Sequence, residues 1–287
     1  MIMKRLVWAP VILVWALGSV ALFPGRSVAQ DASAYAISRI AGELYRFQTA
    51  THRSVFLVTP EGIIVTDPIN ADVARWLKDE LKHRFDLPVK YLIYSHSHPD
   101  HISGGEVFAG TATVVAHANA KAQIERDAVP TAAPQETFTD RKTIRLGGQT
   151  VELVYLGRNH SDNSIVMLFP EARTVFAVDF VAAKRLPYRD FPDAYLDEWP
   201  ESLRRLEALE FDILAPGHGA LGTKDDVRTS REYLETLRTQ VAALLAQGKD
   251  EAEIVAAVTM DTYRGWERYE EWRPLNVQGM VRHLQKR

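Results

Sequence analysis

The chain has 287 residues, 46% hydrophobic and 25% charged, with a formal charge of −3, the balance of a globular chain rather than a disordered or fibrous one. No basic run is longer than a pair such as Arg204-Arg205 or Lys286-Arg287, which argues against nucleic acid and anionic membrane surfaces as partners. There is no cysteine, so disulfides, thiolate metal ligands and a cysteine nucleophile are excluded.

Residues 1–30 read as a secretory signal. Lys4 and Arg5 give a positive start, residues 6–23 are almost entirely apolar, and Ser27-Val28-Ala29 supplies the small residues of a cleavage site. An apolar run of about eighteen residues could also serve as a membrane anchor, but Pro10, Pro24 and the small-x-small site favour cleavage after Ala29. The expectation is a periplasmic or secreted protein with no stable membrane association after cleavage. Its charge falls to −6 once Lys4, Arg5 and Arg26 are removed. About 250 residues then remain, enough for one large domain, residues 30–287, with a helical extension from about residue 223.

From Ala36 onward the pattern alternates as strands do, at 37–47, 54–59 and 62–67, with a turn at Pro60-Glu61-Gly62. Asn70 is placed to cap a helix running to about Arg84, whose apolar residues Val73, Trp76, Leu77 and Leu81 recur at spacings of three and four. A buried strand is expected at 89–95. Beyond it, a short helix is expected to open at Ser103-Gly104-Gly105, followed by a strand at 112–116 and a helix at 117–126. Residues 129–134 have a loop's composition and could form a lid or binding segment. Hairpins are expected at 142–156 and 163–178. The last third reads as helices at 196–209, 223–247, 250–258 and 275–286, with one strand at 211–215. The aromatic segment 263–269 is read as packing against the body of the domain.

The strand at 89–95 runs directly into His96-Ser97-His98-Pro99-Asp100-His101, which holds three of the nine histidines in six positions. His96 and His98, two residues apart, can point the same way, while Asp100 and His101 follow a turn and can face a second point. Histidine and aspartate suit zinc and similar divalent ions. Three further candidates end strands downstream: His160 in a polar loop, Asp179 after 174–178, and His218 in Pro216-Gly217-His218-Gly219. Open α/β architectures gather ligands at such strand ends.

Taken together these motifs resemble the metallo-β-lactamase superfamily over about residues 37–219. The resemblance implies an α/β (α+β) chain folded as a four-layer αβ/βα sandwich, with two divalent metal ions, most simply zinc, with iron or manganese as alternatives. It implies one ion held by His96, His98 and His160, another by Asp100, His101 and His218, and Asp179 bridging both. Asp67 matches the family's strand-end aspartate beneath the site, expected to orient a histidine. The motif ends in His101 rather than Arg, the bridging position is Asp179 rather than Cys, and Ser161-Asp162 stands where many relatives carry Thr-Pro. The first two features resemble the glyoxalase II, lactonase and broader hydrolase branches.

The implied chemistry is hydrolysis of an ester, lactone, thioester or amide bond, β-lactams included, in a small-molecule substrate by a metal-bridging hydroxide, with Asp100 orienting it and shuttling its proton. Lys184, Arg185 and Tyr188 are candidates to meet a substrate carboxylate or oxyanion, with Asn163 a weaker one. Two other classes fit the same ligands: an iron-dependent redox enzyme such as a sulfur dioxygenase, and a non-catalytic periplasmic metal-binding protein. Oligomeric state is not readable from the sequence.

Overall fold

A computed structural model describes residues 35–286; the leader and its cleavage site lie outside them. In chain order the strands are β1 (Ala36–Ala41), β2 (Leu44–Gln48), β3 (Arg53–Thr59), β4 (Gly62–Thr66), β5 (Val89–Ile93), β6 (Thr113–His117), β7 (Glu136–Phe138), β8 (Arg141–Leu146), β9 (Gln149–Tyr155), β10 (Ile165–Phe169), β11 (Thr174–Ala177) and β12 (Ile213–Pro216). The helices are α1 (Ala71–Phe85), α2 (Pro99–Ile102), α3 (Ala118–Arg126), α4 (Trp199–Glu207), α5 (Lys224–Ala246), α6 (Glu251–Ala257) and α7 (Tyr269–Gln285).

Strands β1 to β7 form one sheet in sequence order, and a second sheet runs β12-β11-β10-β9-β8. The sheets face each other across a core that includes Val55, Leu57, Ile64, Ile93, Leu153, Ile165, Met167 and Phe176. Alternate residues of the same strands point the other way. Phe56 and Val58 of β3 pack with Val73, Leu77 and Leu81 of α1, whereas Val166 and Leu168 of β10 pack with α4, α5 and α7. Period-two alternation on strands apolar on both faces thus yields three apolar seams between four layers. This is the expected αβ/βα sandwich.

Local signals held at several boundaries. Asn70 caps α1, its Oδ1 accepting from the Asp72 and Val73 amides at 3.0 Å each. Several boundaries moved. The expected strand at 37–47 is a hairpin, β1–β2, turned at Gly42. The short helix expected at Ser103 instead starts at Pro99, inside the histidine motif, and Gly105–Val107 is a single 3₁₀ turn. Residues 129–134 are no lid: the Tyr94 hydroxyl lies 2.7 Å from Thr131 Oγ1, and the Gly104 amide donates to Pro130. Helix α7 begins at Tyr269, six residues before the expected start, and takes Pro274 inside it. Packing supports that early start, because Trp272 is buried against α5 and its neighbours.

The long helix α5 and α7 cover the second sheet and pin the loop after β11. Buried Asn276 of α7 accepts from the Tyr233 hydroxyl at 2.6 Å and donates to the carbonyls of Pro187 and Arg189. Next to it, a Cβ at Gly279 would run into the Asp190 carbonyl. Gly279→Ala is therefore predicted to destabilise the protein by about 1–3 kcal/mol, at about 2–4 °C of Tm per kcal/mol, in a thermal melt. An unchanged Tm would mean that this close approach does not occur.

Candidate metal centre

The site lies where the two sheets present strand ends at one edge. The Ile165 amide of β10 donates to Ser95 O just beyond β5 at 2.8 Å, tying the two sheets together there. Ser95 Oγ lies 2.9 Å from His96 Nδ1, which turns the other ring nitrogen inward. His98 is the N-cap residue of α2, with Pro99, Asp100 and His101 forming its first turn. Backbone bonds hold that turn, since the Ile69 amide donates to His101 O at 2.7 Å. His160 stands in a loop pinned to α4 by Asn159 Nδ2 donating to Ser202 Oγ at 2.9 Å, and to the segment before α4 by the Tyr195 amide donating to Asn159 O at 2.8 Å. Asp179 follows β11 in the left-handed region, with φ of 65°, a conformation aspartate tolerates better than most residues.

All seven expected ligands converge, in two groups. His96, His98, His160 and Asp179 form one, and Asp100, His101 and His218 belong to the other. Asp179 stands between them: Oδ2 lies 3.4 Å from His96 Nε2 and 3.5 Å from His160 Nε2, while Oδ1 lies 3.2 Å from His101 Nε2 and 3.1 Å from His218 Nε2. His218 Nδ1 donates to Thr51 O at 2.7 Å. A ring with its only proton on Nδ1 turns an acceptor, Nε2, toward a carboxylate oxygen, an arrangement that calls for a cation or proton between them.

The donor set fits bound cations. The buried atoms His96 Nε2, His101 Nδ1 and Nε2, and Asp179 Oδ1 lack a well-aligned hydrogen bond, and unpaired buried polar atoms cost about 1–3 kcal/mol each. Burial lowers the pKa of His96 to about 3 and of His160 to about 4, leaving both rings neutral and available as donors. Burial opposes ionisation of Asp179, but the surrounding histidines, His101 foremost, hold it well below the usual carboxylate range. Asp100 is likewise depressed against its burial, by His52 and His101.

The remaining expectations divide. Asp67 is fully buried, and burial raises its pKa to about 6. Its Oδ1 accepts from the Ser95 amide at 2.8 Å. It bears on His101 through its charge, but Oδ2 makes no hydrogen bond. Arg185 and Tyr188 line the cavity beside the site. Lys184 does not, because it sits on a left-handed turn (φ 50°) that leaves it exposed and turns its neighbour inward. Asn163 does not line the cavity either. It is fully buried, accepting from the Ser97 amide at 2.9 Å and donating to Ser97 Oγ at 3.2 Å, so it fixes the residue between His96 and His98. His52, missed in the sequence, faces Asp100 with Nε2 3.2 Å from Oδ2.

The cavity holds about 490 Å3, a size suited to a small molecule. Its apolar wall includes Phe180, Leu186, Trp199, Leu203, Leu234 and Trp272. Of its two arginines, Arg185 pairs with Glu267, and Arg268 pairs with Glu271 at 2.8 Å. Both guanidinium groups also lie over the Trp272 ring.

A family profile described as "Metallo-beta-lactamase superfamily" matches residues 50–218, more than half of the chain. The chain belongs to that superfamily, whose members are metal-dependent hydrolases. It is 28% identical over 184 residues to the 2,4-dinitroanisole O-demethylase subunit alpha of Nocardioides sp. (strain JS1661), across 62% of this chain and only 56% of that protein. It is 28% identical over 173 residues to metallo-beta-lactamase IND-1 of Chryseobacterium indologenes, across 58% of this chain and 70% of that protein. The solved structure of a metallo-beta-lactamase from Pontibacter korlensis matches with a TM-score of 0.64 at 21% identity, over 70% of this chain and 99% of that one, a likeness of fold.

Burial alone would lower the pKa of His101, yet the charges of Asp179, Asp100 and Asp67 raise it to about 9. The metal-free protein therefore keeps a proton on His101 at neutral pH, and a cation taking that ring must displace it. Metal uptake at pH 7 is predicted to release about one proton, with apparent affinity rising as pH climbs toward 9. Calorimetry in buffers of different ionisation heat measures this, and an absence of released protons would contradict it.

Proposed function

We propose that the chain is an exported two-metal hydrolase that cleaves an ester, lactone, thioester or amide bond in a small, largely apolar molecule. The observation that carries the reading is the Asp179 carboxylate, with one oxygen facing each of two groups of ligand-type side chains. His96, His98 and His160 would hold one ion and Asp100, His101 and His218 the other, with Asp179 shared. Zinc is the first expectation, given neutral imidazoles and carboxylates without thiolate. A divalent pair would supply Lewis acidity, making water nucleophilic near neutral pH and polarising the scissile bond.

The chain's own residues supply the rest. Asp100 has a side chain 56% exposed at the cavity and stays anionic, so it can orient a water molecule by accepting a hydrogen bond from it. The apolar wall excludes bulk water and seats the acyl or aryl part of a substrate. Because both cavity arginines are already paired with glutamates, the pocket favours a neutral substrate over one that must be held by a carboxylate. Export rests on the leader in residues 1–30.

A panel of methyl, long-chain and aryl esters, lactones, thioesters, β-lactams and aryl methyl ethers, run on metal-loaded protein, tests the reading. The ethers are included because one relative is named for O-demethylation of an anisole. Neutral apolar esters and lactones should turn over best, and failure across the whole panel would overturn the proposal. Asp179→Ala should lower metal occupancy and turnover together, by at least about tenfold. Trp272→Leu should raise KM for aryl or long-chain substrates about tenfold, with little change for methyl esters, since it removes binding surface far from the reacting bond. Equal effects on both substrate sizes would count against the apolar wall as the seat of the substrate.

A further inference from the structure

An eighth donor faces the space between Asp100, His101 and His218. His52 precedes β3 and contributes a ring nitrogen to a cluster with those three residues in which all four ligand atoms lie within 4.8 Å of one another. We propose that His52 Nε2 is a further protein ligand at that metal position, an inference that rests on the two-metal reading above.

The ring is held for this role. Its Nδ1 lies 2.9 Å from Thr51 Oγ1, leaving Nε2 directed at Asp100 Oδ2, 3.2 Å away. The ring centroid lies 4.7 Å from that of His218 and 5.1 Å from that of His101. The backbone is fixed as well. The His52 amide donates to Thr49 Oγ1 at 3.0 Å, and the Thr49 amide donates to His52 O at 2.9 Å. On either side of His52, Thr51 O accepts from His218 Nδ1 at 2.7 Å and the Arg53 amide donates to Gly217 O at 2.7 Å. Strand β3 and the His218 loop are thereby joined so that both imidazoles address one point.

The consequence is an unequal pair of positions. One offers His96, His98, His160 and Asp179 Oδ2, four donors. The other offers His52, Asp100, His101, His218 and Asp179 Oδ1, five donors from three imidazoles and two carboxylates. With His52 the second position would hold one protein donor more than the first.

The competing role for His52 is a hydrogen bond to Asp100 alone, and His52→Gln separates the two because glutamine keeps an amide donor while removing the imidazole. Metal-free wild type, His52→Gln and His52→Ala are titrated with Co(II) against a competing chelator, with the visible spectrum recorded and circular dichroism confirming the fold. Both variants should bind one of two equivalents at least about tenfold more weakly. Their bands at that equivalent should be more intense, as coordination number falls. If His52→Gln keeps wild-type affinity at both positions and the wild-type spectrum, the ligand role is overturned. Wild-type protein that takes up fewer than two equivalents would instead sink the two-metal reading itself.

Discussion

A carboxylate set among four imidazoles, each with a ring nitrogen within 3.5 Å, dominates the electrostatics of this edge of the molecule. Burying a charge is costly unless it is paired, and Asp179 is almost wholly buried, its side chain 11% exposed. Its backbone occupies a left-handed turn directly after β11. The surrounding structure supplies what makes that placement tenable. The ends of β5 and β12, the start of β3 and the loop before β10 all bring ring nitrogens or their supports to the same point, and the Ser95–Ile165 bond locks the two sheets there.

The sheets and the C-terminal helices divide the work. Sheet edges carry the groups that can hold cations, while α4, α5 and α7 cover the second sheet and supply the apolar wall. The loop after Asp179 belongs to both. It leaves the site at Phe180, whose carbonyl accepts from Trp199 Nε1 at 2.8 Å, and is held further along by Asn276. The Arg185–Glu267 pair closes the cavity rim between that loop and the segment before α7. The cavity beside the ligand groups is therefore walled by helices that contribute no ligand-type side chain themselves.

The histidine motif was legible because its spacing is local: residues 96–101 sit on one strand end and one helical turn, and nothing distant is needed to bring them together. His160, Asp179 and His218 were legible as residues at strand ends, although their grouping came from the family resemblance. His52 was not legible for a topological reason. It lies at the start of a strand, and only the antiparallel pairing of β3 with β4, itself parallel to β5, brings that start to the same edge as the end of β5. The placement of Lys184 and Asn163 outside the cavity lining was not legible because polarity in a loop does not reveal direction. A left-handed turn leaves Lys184 in solvent, and full burial commits Asn163 to the backbone between two histidines. Helix α7 takes Pro274 inside it, and the usual effect of proline on a helix is outweighed there by the burial of Tyr269 and Trp272.

Anomalous diffraction from crystals of the metal-loaded protein tests the central claim most directly, because it locates ions without reference to any substrate. Two peaks are expected about 3.5–4 Å apart, one on each side of the Asp179 carboxylate. A single peak, or a pair that Asp179 does not touch, would contradict it.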